Sequence, residues 1–198
     1  MERWSEVAVL RVVEEPTSGP VRGGWRVRSL LLGLAATAVL LDQLTKQLTV
    51  DRLVDAEPVR LLGGGIYLVH ATNSGAAFNL GSSYTWVFPL VAFAVIGWIG
   101  WLMRRLRSVP WAVALGLVLG GATGNLVDRL LRAPGPFRGE VVDMISVFAP
   151  DGSVFPVFNL ADSSLVVGVV LAVWLELTGR HRDGTRLPSR PTPAERGG

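Results

Sequence analysis

The chain has 198 residues, 49% of them hydrophobic and 18% charged, with a mean hydropathy of +0.41. That is too little charge for a soluble domain of this length and suits a single membrane bundle. The absence of cysteine excludes disulfides, thiolate metal sites and cysteine nucleophiles, and a net charge of +3 without aromatic-interleaved basic patches speaks for membrane topology rather than nucleic acid.

Residues 1–24 are polar and broken by Pro16, Gly19, Pro20, Gly23 and Gly24. Their one apolar run, Val7–Leu10, is too short for a secretory core and lacks a small-residue cleavage site. They are expected to form a flexible cytoplasmic extension. Four apolar stretches follow, at about 27–50, 84–103, 111–131 and 158–177. Each is about 20 residues long, enough to cross a bilayer as a helix. Trp86, Trp98, Trp101 and Trp111 suit membrane interfaces. Between the first two spans, Val59–Leu62 and Ile66–Val69 flank three glycines and read as a small hairpin. Between the last two, Phe148–Val157 reads as a second short extended pair around Asp151-Gly152. The tail, 179–198, is rich in Arg, Pro and Gly and is expected to be disordered in the cytoplasm. The fold expected is an all-α bundle of four transmembrane helices, residues 25–178, with a small extracytoplasmic β-containing cradle.

Arginines orient the bundle. Arg22, Arg26 and Arg28 precede the first span, Arg104, Arg105 and Arg107 fill the turn between the second and third, and Arg180, Arg182, Arg186 and Arg190 follow the fourth. The positive-inside rule puts these segments in the cytoplasm and the two longer loops outside. The unusual polar residues then gather at the outer face. Asp42 and Lys46 lie late in span one, Asn125, Asp128 and Arg129 late in span three, and Asn159 and Asp162 early in span four. Asn73 and Asp143 fall in the outer loops.

Spacing sharpens this picture. Asp42 and Lys46 are four apart and share a helix face, as do Asn125 with Asp128 and Asn159 with Asp162 at three apart. Gly116, Gly120 and Gly124 make a smooth stripe for close helix approach. Asp42 with Lys46 reads equally as a structural ion pair or as part of the chemistry. Asp128 beside Arg129 reads as a boundary ion pair. Asp162 has no base within a helical turn, and an unpaired buried carboxylate is expensive, which favours a functional role. Its partner is open between Asp128 and Asp143. His70 and His181 are too far apart in sequence to suggest a zinc site.

Two carboxylates sharing a poorly solvated site hold one proton between them. The ionised one can activate water, and the protonated one can polarise a carbonyl. That is peptide hydrolysis without metal or cofactor. A Ser74–Lys46 pair is possible from residue types but has no spacing support. Ion translocation would require polar groups through the whole membrane depth, and the inner halves of the spans are apolar.

The stretches LDQLTK at 41–46, TNSGAAF at 72–78, GGATGNLVDRL at 120–130, VVDM at 141–144 and FNLADSSLVVG at 158–168 resemble, in order, the motifs of the signal peptidase II family. The resemblance covers roughly residues 28–178. It implies a four-span aspartic peptidase of the bacterial inner membrane with its site at the extracytoplasmic face. It further implies prolipoprotein substrates cut before a diacylglyceryl-modified cysteine; no cofactor or metal is expected, and the chain is expected to act as a monomer among membrane lipids. By the same resemblance Asp143 and Asp162 are the catalytic dyad. Asn73, Asn125, Arg129 and Asn159 surround it, and Asp42, Lys46 and Asp128 support that shell.

Overall fold

The structure, a computed structural model, describes residues 24–75 and 85–185. Four of its helices are long and apolar enough to cross a membrane. Helix α1 spans Gly24–Leu53, α2 Val87–Leu102, α3 Val109–Leu131 and α4 Leu160–Leu177. At 30 residues, α1 is about 45 Å long and overruns a hydrocarbon core of about 30 Å. A 3₁₀ turn, Met103–Arg105, extends α2. Pro110 sits in the first turn of α3, where its missing N–H leaves no bond unmade. A capping box starts α4: the Asn159 side chain accepts from the Asp162 N–H, and the Asp162 side chain accepts from the Asn159 N–H.

Helix α3 lies in the middle, with α1, α2 and α4 packed around it. Small residues make this possible. A methyl added at Gly116 would stand 2.9 Å from the carbonyl oxygen of Leu31, and one at Gly120 would stand 3.0 Å from that of Ala35. The expected glycine stripe thus faces α1. Gly121 and Gly168 do the same service between α3 and α4. At the end that carries the α2–α3 turn, Leu31, Ile99, Leu102, Leu106, Trp111 and Leu175 close an apolar core. Side chains pointing away from α3, such as Leu40, Val91, Trp98 and Val170, are exposed and apolar, as a lipid-facing surface requires.

The opposite end carries an antiparallel sheet in the order β1-β2-β3, with β1 at Val59–Leu61, β2 at Ile66–Asn73 and β3 at Val141–Val147. The expected hairpin is present. It turns through a 3₁₀ segment, Leu62–Gly64, where Gly64 has φ +102°, a conformation open to glycine and strained for other residues. The second expected pair is not present. Strand β3 lies earlier, over a stretch read as loop, and residues 148–157 form turns closed by the bridge between Ile145 and Phe158. The reason is burial on both faces: Val141, Val142, Asp143 and Met144 are all enclosed, so the alternation that signals a strand is missing.

Two further expectations change. Trp86, Trp98 and Trp101 are exposed as interface residues should be, but Trp111 is buried and donates from Nε1 to the Arg180 carbonyl at 2.7 Å. Residues 179–185, read as the start of a disordered tail, fold back in a hydrogen-bonded turn against the head of α3. The extension at 1–23, the start of span two at Tyr84 and the tail from 186 lie outside the described residues.

Candidate active site

The polar residues of α1, α3, β3 and α4 meet at the sheet end of the bundle. Their assembly starts with Lys46. Its ammonium lies 2.8 Å from Asp42 one turn earlier and 2.8 Å from Asp128 on α3, and it donates to Asn125 Oδ1 at 2.9 Å. All three charged side chains are fully enclosed. In so dry a setting each acid needs its partner, and the shared ammonium serves both.

Each of these two acids also grips a backbone N–H elsewhere. Asp42 Oδ1 accepts from the N–H of Ala161 at 2.9 Å, and Asp128 Oδ2 from that of Val142 at 3.3 Å. Ala161 immediately precedes Asp162, and Val142 immediately precedes Asp143. One buried ion triad therefore fixes the backbone beside both members of the expected dyad.

The dyad residues come from different elements. Asp162 is the third residue of α4, half-buried, and accepts from Asn125 Nδ2 at 2.7 Å. Asp143 is buried on β3, opposite Ala71 of β2. Asn159 Nδ2 donates to Asp143 Oδ1 at 2.6 Å and is 3.2 Å from Asn125 Oδ1. Asn73 Nδ2 reaches Asp143 Oδ2 at 3.3 Å across the strand pair. Asparagine amides thus link the two carboxylates. Asp143 lies outside the spans, and its pKa is pushed up to about 7. Burial is the first cause and the nearby charge of Asp162 the second, against the opposing hydrogen bonds of Asn159 and Asn73.

Arg129 does not pair with Asp128, contrary to the sequence reading. Its guanidinium donates to the carbonyls of Ser74, Gly75 and Gly139 and lies 5.0 Å from the ring centre of Phe88. It ties the chain after β2, the approach to β3 and the start of α2 to the end of α3. The second cation on Asp128 is Arg132, at 2.7 Å. Sequence reasoning passed over Arg132, although its spacing of four from Asp128 was the available signal. It also passed over Gln43, which donates to Asp42, Asp128 and the Gly124 carbonyl. All nine expected site residues are therefore found in this one region, Asn73 through its contact with Asp143. Among the described residues, no group of three His, Asp or Glu side chains could hold a metal ion.

Comparison with known proteins identifies the family. Residues 34–178 match the family profile described as signal peptidase II, peptidase family A8. The chain belongs to the signal peptidase II family. It is 48% identical over 173 residues to a lipoprotein signal peptidase of Mycobacterium avium, covering 86% of this chain and 92% of that one. It is 50% identical over 161 residues to one of Mycolicibacterium smegmatis, covering 80% and 66%. A bacterial membrane enzyme solved by the in meso method at 2.3 Å resolution superposes with a TM-score of 0.66 at 28% identity, over 75% of this chain and 88% of that one. As a signal peptidase II family member the chain is a multi-pass membrane protease.

Proposed function

We propose that the chain removes signal peptides from diacylglyceryl-modified prolipoproteins, cleaving before the lipidated cysteine with water activated between Asp143 and Asp162. The observation that carries this reading is the linked pair itself: two carboxylates joined through Asn159 and Asn125, one of them holding its proton to about pH 7. Ionised Asp162 takes a proton from water as the water oxygen attacks the scissile carbonyl carbon. Asp143 gives its proton to the carbonyl oxygen. Collapse of the tetrahedral species re-forms the carbonyl, breaks the C–N bond and passes a proton to the leaving amine. The dyad is left holding one proton, ready for the next turnover.

The other residues hold this geometry. Asn159 and Asn125 orient the carboxylates, and Asn73 restrains Asp143 from β2. Asp42, Lys46 and Asp128 fix the backbone before each dyad residue. Arg129 orders the segment after β2 that borders the site. The depth suits the substrate. The carboxylates sit where α3 ends and α4 begins, so acyl chains on the cysteine can stay in the bilayer while the peptide bond reaches the boundary. The arginine distribution supports an orientation with the sheet outside the cytoplasm and the α2–α3 turn within it. Residues 25–178 form the peptidase unit.

The test uses purified protein and a diacylated prolipoprotein, with the shortened product followed by mass. Asp143→Asn and Asp162→Asn should each lower the rate by about 10²–10⁴-fold, the span associated with general acid–base catalysis, while expression and insertion stay near normal. Wild-type processing by either variant would remove the dyad assignment.

A further inference from the structure

The end of the bundle away from the carboxylates holds a cavity of about 650 Å³. It is built by the segment after α4. Gly179, with φ +65°, turns the chain back, and the Arg180 carbonyl accepts from Trp111 Nε1 at 2.7 Å. The Arg182 carbonyl accepts from the N–H groups of Arg107 and Ser108 at 2.9 and 3.0 Å. The Arg182 guanidinium lies 5.3 Å from the ring centre of Trp111. A turn follows, in which Thr185 O accepts from the His181 N–H at 2.9 Å. This hook brings Arg182 to a cavity wall that also carries Arg104 and Arg105.

Three arginines thus line one cavity. Among the described residues none of them has a carboxylate within ion-pair distance. The single acid in the wall, Asp183, accepts from the backbone N–H and hydroxyl of Thr185 at 3.0 and 2.7 Å, so it is engaged within its own turn. Trp101, 61% exposed at the end of α2, supplies an apolar wall that continues onto the lipid-facing side of that helix. Guanidinium groups match phosphate oxygens in pairs, and a tryptophan flank at a membrane boundary suits the glycerol and first methylenes of a lipid.

We propose that this cavity binds the phosphate of an anionic phospholipid headgroup, with the hook after α4 holding it shut on one side. The site is separate from the carboxylates, and its failure would leave the peptidase reading untouched. The test titrates the full chain in neutral detergent with dioleoylphosphatidylglycerol, dioleoylphosphatidylcholine or inorganic phosphate, reading thermal unfolding and bound lipid. Phosphatidylglycerol should bind saturably and raise the unfolding temperature; phosphatidylcholine and inorganic phosphate at equal concentration should not. The double variant Arg104→Gln/Arg105→Gln should weaken that binding about tenfold or more, because it removes two charges that face the anionic headgroup. Arg26→Gln/Arg107→Gln removes the same charge outside the cavity and should leave the affinity near wild type. Arg182→Gln keeps the backbone bonds of the hook and should weaken binding independently of the first pair. Equal losses in the two double variants would mean diffuse attraction and overturn the proposal. So would an equal response to inorganic phosphate, or full binding by Arg182→Gln.

Discussion

At Asp143, burial and the adjacent charge of Asp162 both oppose ionisation, and the pKa settles at about 7 against an ordinary 3.8. An acid whose folded pKa is raised adds stability below its unfolded pKa and loses that contribution as the pH climbs through the folded value. Unfolding temperature should therefore fall between about pH 4 and pH 7, and Asp143→Asn should flatten that slope. The rate of prolipoprotein cleavage should also fall on the alkaline side of about pH 7, where Asp143 no longer donates. A profile flat to pH 9 would deny it that role. Lys46 is the most exacting single position. Lys46→Met leaves Asp42 and Asp128 enclosed, with Asp42 stripped of its cation, and should cost about 3–5 kcal/mol in detergent unfolding. Arg132→Met should cost about 1 kcal/mol or less, because its side chain is 23% exposed and Asp128 keeps Lys46.

Helix packing makes its own demands. A methyl at Gly121 would press on Leu165 and on the carbonyl of Ala161, the residue just before Asp162, whereas Gly97 on α2 has open space. Gly121→Ala should destabilise by about 1–3 kcal/mol, and Gly97→Ala should be neutral or stabilise by up to about 1 kcal/mol. Equal thermal shifts for the two would contradict the α3–α4 contact. The four spans were legible because length and lack of charge are local properties. The Asp42–Lys46 pair was legible for the same reason, since spacing of four along a helix is written in the chain. Strand β3 was not, because a strand enclosed on both faces carries no alternation. The partners of Asp128 and Arg129 were misassigned for a related reason. Lys46 reaches Asp128 from another helix and Arg129 turns to backbone carbonyls, and neither contact leaves a trace in local spacing.

The whole chain is suited to a direct test of its orientation, because it contains no cysteine to confuse a reporter. Val154→Cys, on the turn after β3, should react with an impermeant maleimide in intact spheroplasts. Arg107→Cys, at the α2–α3 turn, should react only after permeabilisation. The reverse pattern would invert the topology proposed here. The same view of the whole bears on the polar centre. Asp42, Asp128, Asp143 and Asp162 gather with Lys46, Arg129 and Arg132, while Glu140 stands half-buried at the rim. Four acids thus face three bases at the edge of a medium that tolerates little net charge. Those seven side chains, apart from Glu140, are together neutral when they hold one proton. On the proposed mechanism, the state that suits this boundary is also the one primed to cut, so that the membrane itself would favour a loaded dyad.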